Sequence, residues 1–279
     1  MEQTLDKPSQ EVYDSAQRLP PALVELKEAW RYRDLVFFLV RRDITARYKR
    51  SVLGIAWTML NPLGMMIILS VVFTQVFRAR VEGYPAYVLS GLISWTFFSQ
   101  TSSSAINALV WGGDLLRRIY IPRSTFAMSA IGTGLVNLLL SLVPLIVVNL
   151  VIGIPLHITL LLSPFAMIML AMFSLGIGLL ISTIGIYFAD VVEMYHIILT
   201  AWFYATPVMY PVDILSTNVA MIVKLNPMFH LVGLFRDLVF YGTVPPLQTW
   251  LLCLGVSTMT LMIGWLVFTG KSDEFAYRT

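Results

Sequence analysis

The chain has 279 residues, of which 57% are hydrophobic and only 13% charged; its net charge is +3 and its mean hydropathy +0.76. A soluble domain carries roughly 25% charged residues, so this composition excludes one and requires an integral membrane protein. The single cysteine, Cys253, excludes a disulfide framework and a cysteine-built zinc site.

In chain order, residues 1–21 read as a flexible polar lead ending at Pro20-Pro21, and residues 1–50 together read as too polar, too charged and too long for the start of a cleavable signal. Residues 22–50 read as one amphipathic helix, with Leu26, Trp30, Phe37, Val40, Ile44 and Tyr48 recurring along one line at helical spacing and Arg33 interrupting it. A basic helix of this kind lies in the membrane interface or packs on protein. Its end, RRDITARYKR (41–50), presses positive charge against the first apolar run.

A spanning helix needs about 20 mostly apolar residues. Runs at 52–77, 85–110, 125–151, 158–188 and 247–269 qualify. A sixth, 190–210, carries Asp190, Glu193 and His196 at its start and turns apolar from Ile197. The runs are continuous rather than alternating, which favours helices over a β-barrel. The expected fold is therefore all-α integral membrane with six transmembrane helices, occupying residues 51–270. Short re-entrant helices are expected between spans five and six, at 211–246, where NPMFHLVGLFRDLVFYG (226–242) is apolar but interrupted by His230, Arg236 and Asp237.

Lysine and arginine set the orientation. Ten lie in residues 1–50, Arg117, Arg118 and Arg123 lie between spans two and three, and Lys271 and Arg278 lie in the tail 271–279. Only Arg78, Arg80, Lys224 and Arg236 fall on the other side. Both termini are expected in the cytoplasm, as an even number of spans requires.

Two segments point to chemistry. SQTSSSAIN (99–107) places amides and hydroxyls within the second span. Such groups glue helices together or line a polar pathway. WGGDLLRRIYIPRS (111–124) reads as a short amphipathic helix over 112–123. Asp114 caps it, Leu115, Leu116, Ile119 and Tyr120 form its apolar side, and Arg117 and Arg118 its basic side. It either anchors the two spans it joins or serves as a lever that moves them.

Two other motifs only imitate chemistry. GWLVFTGKS (264–272) resembles a phosphate loop, but five residues separate Gly264 from Gly270 where that loop needs four, and Gly264 falls within a span. EMYH (193–196) has the Glu-x-x-His spacing of carboxylate metal sites but no second copy. His157 and His230 are isolated, and no nucleophile pairs with a histidine and a carboxylate. No metal and no catalytic residue is expected.

RRDITARYKRSVLGIAWTMLNPL (41–63), GLISWTFFSQTSSSAINALVWGGDLLRRIYIPR (91–123), YFADVVEMYHIILTAWFYATPVMYP (187–211) and LNPMFHLVGLFRDLVFYG (225–242) resemble the permease subunits of type-2 ABC exporters. The branch they resemble exports O-antigen, capsule and teichoic acid. The resemblance implies a homodimer working with two copies of a separate ATPase in a bacterial inner (plasma) membrane. ATP-Mg would be bound by that partner and no cofactor by this chain; no nucleic acid is expected. The cargo would be a polysaccharide on a polyprenyl diphosphate.

By the same resemblance, 112–123 with Arg123 would be the coupling helix on the ATPase and the N-terminal helix would help gate admission. Arg47, Lys49 and Arg50 would meet the diphosphate headgroup. Candidates for the conduit lining are Trp57, Phe73, Tyr87, Trp95, Phe98, Gln100, Ser103, Asn107, Trp202 and Tyr204, with Tyr84, Phe97, Phe203 and Tyr210 as further aromatics, because sugars stack on aromatic faces and bond to hydroxyls and amides. The alternatives are a type-2 exporter of a smaller amphiphile, a drug or a lipid, and an ATP-independent channel or secondary transporter. The last expects an ionisable residue deep in the membrane, whereas the acids here cluster at span ends.

Overall fold

The computed structural model describes residues 20–49, 53, 54, 56–76, 81–111 and 121–271, and of Arg47, Tyr48 and Val76 the backbone alone. Every regular element among them is helical: α1 (Pro21–Arg31), α2 (Arg33–Tyr48), α3 (Ala56–Val71), α4 (Tyr84–Val110), α5 (Ser124–Ile152), α6 (Ser163–Tyr187), α7 (Asp190–Ala205), α8 (Thr217–Lys224), α9 (Pro227–Arg236) and α10 (Leu247–Gly270). One-turn π segments extend α3 over Val72–Val76 and α9 over Asp237–Tyr241, and a 3-10 turn, Ile158–Leu162, leads into α6.

Among the described residues, four segments are long and apolar enough to cross a membrane: Ala56–Gln75, Ser124–Ile152, Ile158–Tyr187 and Leu247–Gly270. At 1.5 Å per residue the 27-residue α4 is about 40 Å long, but it is more polar than these four. The expected span 190–210 is helical only over Asp190–Ala205, 16 residues or about 24 Å, against a hydrocarbon core of about 30 Å. Thr206 ends it with extended backbone (φ −106°, ψ 131°), because the ring of Pro207 disfavours helical geometry in the residue before it.

α4 is the central helix, packed against α3, α5, α6, α7 and α9. It starts at Gly83, whose φ of +66° suits a residue without Cβ, with Pro85 in its first turn. α6 and α10 form the most extensive helix pair. Gly264 is part of that crossing: a Cβ there would lie 2.3 Å from the Gly176 carbonyl oxygen. The first glycine of the apparent phosphate loop thus serves close helix packing.

α8 and the α9 segment (Pro227–Tyr241) meet at 88° within the region read as re-entrant. Asn226 caps the second, its side-chain oxygen accepting from the Met228 N–H at 3.0 Å. Gly242 (φ +65°) ends it under His157, which leaves no room for a Cβ.

The expected single helix 22–50 is two helices hinged at Tyr32 (φ −92°, ψ 18°). The hinge lets α1 dock on α10 and the start of α5 while α2 packs along α5. Ala29 and Leu39 face the protein, whereas Leu26, Trp30 and Phe37 are exposed. The apolar stripe is therefore split: Leu26, Trp30 and Phe37 face away from the bundle, whereas Val40 packs against Gly132 of α5.

Candidate functional site

α4 has two unlike halves. From Tyr84 to Phe98 almost every side chain is buried, and the hydroxyls bond inward: Ser90 Oγ donates to the Tyr87 carbonyl at 2.8 Å and Ser94 Oγ to that of Ser90 at 3.0 Å. From Ser99 on, Thr101 and Ser102 turn inward in the same way, and Tyr195 Oη donates to Ser102 Oγ at 2.8 Å. Thr96, Gln100, Ser103 and Asn107, spaced four, three and four apart, fall on one helical face, with Ser99 and Ser104 flanking it. Gln100, Ser104 and Asn107 are exposed. That face is the site.

α3 crosses this face and divides it into two hollows, both touched by Asn61, Pro62, Thr96, Gln100 and Ser104. The first, about 550 Å³, lies between α2, α3, α4 and α5. Ser129, Thr133 and Asn137 of α5 face Trp57 and Asn61 of α3 across it. The buried Thr133 hydroxyl has no hydrogen-bond partner among the described residues. Arg42 and Asp43 of α2 border the hollow as an ion pair at 2.9 Å, so the charge there is balanced.

The second hollow, about 780 Å³, lies between α3, α4 and α7. It pairs Ser99, Ser103 and Asn107 with the aromatic rings of Trp95, Phe203 and Tyr204 and with His196. Neither hollow is lined by an unbalanced carboxylate or guanidinium. Their chemistry is that of neutral donors and acceptors beside aromatic faces, which suits a polyhydroxylated ligand.

Beyond the buried half of α4, the irregular stretch 206–210 is held by side-chain donors. Tyr84 Oη donates to the Met209 carbonyl and Tyr87 Oη to that of Tyr210 at 3.0 Å. Arg236 donates to the carbonyls of Pro207 at 3.1 Å and Val208 at 2.9 Å and to Tyr87 Oη at 3.0 Å, with its guanidinium 3.8 Å from the Tyr87 ring centre. Gly91 makes the slot: a Cβ there would lie 2.4 Å from Arg236 Nη2. On the flank, Trp202 Nε1 donates to Asn226 Oδ1 at 2.8 Å, and Asn226 Nδ2 donates to Thr206 Oγ1 at 2.8 Å.

Of the expected lining residues, Trp57 touches the first hollow, Trp95, Ser103, Asn107 and Tyr204 the second, and Gln100 both. Phe97 and Phe203 touch one each. Tyr87 and Phe98 line neither. Tyr87 is buried under Arg236, and Phe98 packs among Trp95, Phe173 and Trp202 in the core. Phe73 stacks on Tyr84 with ring centres 5.8 Å apart, Trp202 serves the Asn226 clasp, and Tyr210 Oη donates to the Tyr204 carbonyl at 2.8 Å.

Lys49 is exposed at the end of α2, while Arg50 and the side chain of Arg47 lie outside the described residues. Asp114, Leu115, Leu116, Arg117, Arg118, Ile119 and Tyr120 also lie outside them. Arg123 stands at the start of α5, where burial lowers the pKa of its guanidinium and the nearby Glu25 carboxylate opposes that shift. Glu193 and His196 are exposed on α7, and no three His, Cys, Asp or Glu side chains gather as metal ligands among the described residues. Sequence reasoning missed Arg236 as a fully buried cation. The signal available was an Arg-Asp pair inside an apolar run.

The ABC-2 type transporter family matches residues 34–240. The O-antigen export system permease protein RfbA of Myxococcus xanthus is 29% identical over 253 residues, 90% of this chain and 97% of that protein. The Klebsiella pneumoniae protein of the same description is 24% identical over 212 residues, 76% and 82% of the two chains. The polysialic acid transport protein KpsM of Escherichia coli is 25% identical over 210 residues, 74% and 81%.

Proposed function

Since this chain belongs to the ABC-2 type transporter family, we propose that it is the membrane permease of an ATP-driven exporter that moves a polysaccharide, carried on a polyprenyl diphosphate, out across a bacterial inner membrane. The observation that carries the reading is the polar face of α4, where neutral amides and hydroxyls stand beside Trp57, Trp95, Phe203 and Tyr204 in two hollows. A conduit must bind its cargo well enough to admit it and weakly enough to release it. Scattered hydroxyls and aromatic faces do this for a sugar chain better than fixed charges would. The descriptions of the three relatives, two for O-antigen and one for polysialic acid, point to the same class of cargo.

In this reading α3, α4, α5, α6, α7 and α10 are the six spans, both termini are cytoplasmic, and two copies of the chain work with two copies of a separate ATPase that binds ATP-Mg. Residues 112–123 are the coupling helix, and Arg47, Lys49 and Arg50 receive the diphosphate headgroup at the interface. The bent pair α8–α9, tied down through Arg236 and Asn226, closes the outer end.

The test is purification from native membranes in mild detergent, with identification of co-purifying proteins and an ATPase assay. The reading predicts a nucleotide-binding subunit in equal amount and activity that responds to lipid-linked glycan. Response to a small amphiphile but not to glycan would move the cargo to drugs or lipids. Recovery of this chain alone at every salt concentration would contradict the exporter.

A further inference from the structure

α5 presents a polar stripe to the first hollow. Ser129, Thr133, Asn137 and Ser141 all line it at four-residue steps, so they share one face of the helix over about 18 Å. That face lies within the span Ser124–Ile152. α4 brings Thr96, Gln100 and Ser104 to the same hollow at the same spacing, and α3 brings Asn61. Gly134 lies against the Thr101 methyl group, with no room there for a Cβ. This close approach sets Thr133 and Gln100, the residues just before them, at one level.

The stripe satisfies itself except at one point. Ser129 Oγ donates to the Phe126 carbonyl at 2.8 Å and Ser141 Oγ to that of Asn137 at 2.9 Å, the usual resort of a hydroxyl within a helix. Thr133, between them, is 8% exposed, and its hydroxyl has no partner among the described residues. Ser70 and Ser257 also hold a buried hydroxyl without a partner among those residues, but neither lines either hollow. A buried polar atom of this kind calls for a water or a ligand. Here it belongs to the wall of a hollow of about 550 Å³, within the range of about 300–1,000 Å³ usual for small-molecule sites.

The lining decides the chemistry of that ligand. A carboxamide both donates and accepts, as a sugar hydroxyl does, and Asn61, Gln100 and Asn137 bring three of them, with Trp57 beside them as an aromatic face. The charge at the border is already matched: Arg42 Nε and Nη2 both donate to Asp43 Oδ1, at 3.0 and 2.9 Å. A carboxylated or phosphorylated sugar would carry an unmatched charge against a membrane span, which is costly. An uncharged sugar would not.

We propose that the first hollow is a recognition subsite for an uncharged sugar of the cargo, with Thr133 as its specificity-determining hydroxyl and Asn61, Gln100 and Asn137 as its carboxamides. The inference rests on the reading of the cargo as a glycan and adds which hollow selects it and by what chemistry.

The experiment uses the complete transporter with its ATPase in lipid nanodiscs, its tryptophans replaced by 5-fluorotryptophan. Trp57 lines the first hollow and Trp95 the second, so their fluorine resonances, assigned through Trp57→Phe and Trp95→Phe, report the two separately. The probes are the methyl glycosides of glucose, galactose, mannose and N-acetylglucosamine, with methyl glucuronide as the anionic counterpart of the first. At least one neutral glycoside should shift the Trp57 resonance saturably without moving that of Trp95, and the glucuronide should move neither. Thr133→Val keeps the shape and removes the hydroxyl. It should weaken that binding roughly two- to tenfold, the contribution of one hydrogen bond, without lowering the melting temperature of the sugar-free protein. Ser257→Ala, which removes a partnerless hydroxyl away from both hollows, should bind as the parent does.

A Trp57 resonance that stays still with all four neutral glycosides would mean a hollow filled by water alone and overturn the proposal. So would an equal response to the glucuronide, a response at Trp95 alone, or unchanged binding in Thr133→Val. Failure of Thr133→Val to assemble, or a large fall in its melting temperature, would mark a structural hydroxyl and overturn it too. Stimulation of ATP hydrolysis by lipid-linked glycan, measured on the same preparation, separates the two layers. Stimulation with Trp57 unmoved removes the subsite and leaves the exporter reading standing; neither stimulation nor binding removes both.

Discussion

The two halves of α4 both carry hydroxyls, and they use them differently. Between Tyr84 and Phe98, Ser90 and Ser94 are enclosed by neighbouring helices and their hydroxyls are satisfied by carbonyls one turn back. From Ser99 to Asn107, a denser set of hydroxyls and amides lies beside hollows, with Gln100, Ser104 and Asn107 left open. What separates them is the company each keeps. The first half faces Arg236 and the 206–210 carbonyls, which consume its polar groups; the second faces α3, which crosses it without covering it. Polarity in a membrane helix therefore means closure where partners are supplied and, in the proposed reading, passage where they are not.

The contrast can be broken most forcefully at its closed end. Arg236→Ala removes the donors to the Pro207 and Val208 carbonyls, and each buried acceptor left unsatisfied costs about 1–3 kcal/mol. The melting temperature of the purified protein should fall clearly, and protease should cut near 205–211. Arg236→Lys should recover only part, because an ammonium cannot present the planar fork that reaches both carbonyls.

Gly91→Ala attacks the same slot from α4. Its methyl group would collide with Arg236 Nη2 and the Val208 carbonyl, and overpacking of this kind costs about 1–3 kcal/mol. Thermal unfolding should register that loss. Trp202→Phe deletes the indole donor to Asn226, a loss of about 1 kcal/mol, and leaves a smaller ring against Phe98 and Phe173, visible as a further shift in the same measurement.

The open half should answer differently. Gln100→Leu and Asn107→Leu change exposed positions, so stability should move by no more than about 0.5 kcal/mol. Glycan export in liposomes should nevertheless fall, alone and more so together. A large loss of stability with export per folded molecule intact would reverse the assignment of the two halves.

Much of the fold was legible because lipid imposes a blunt requirement: the runs at 52–77, 125–151, 158–188 and 247–269 had to be apolar and long, and each holds a helix long and apolar enough to cross a membrane. The polar face of α4 was legible in SQTSSSAIN for the same reason, since amides at membrane depth need an explanation. Arg236 was not, because its partners are backbone carbonyls at 207 and 208, which leave no trace in side-chain identity. The hydrogen bond from Ser124 to Glu25 was hidden by a sequence separation of 99. Tyr87 and Phe98 were expected on a conduit because an aromatic residue suits a sugar and a core equally; only the arrival of α6, α7 and α9 against α4 decides which. The break after Ala205 was present in the sequence as Thr206-Pro207.

The most direct test of the central claim is cysteine accessibility along α4. In a Cys253→Ala background, Gln100→Cys, Ser103→Cys and Asn107→Cys would be compared with Ser90→Cys and Ser94→Cys, using a charged, membrane-impermeant thiol reagent on sealed vesicles of each orientation. The account predicts labelling at 100, 103 and 107, faster during ATP turnover, and protection at 90 and 94. Protection at all five positions, or equal labelling of both groups, would contradict it.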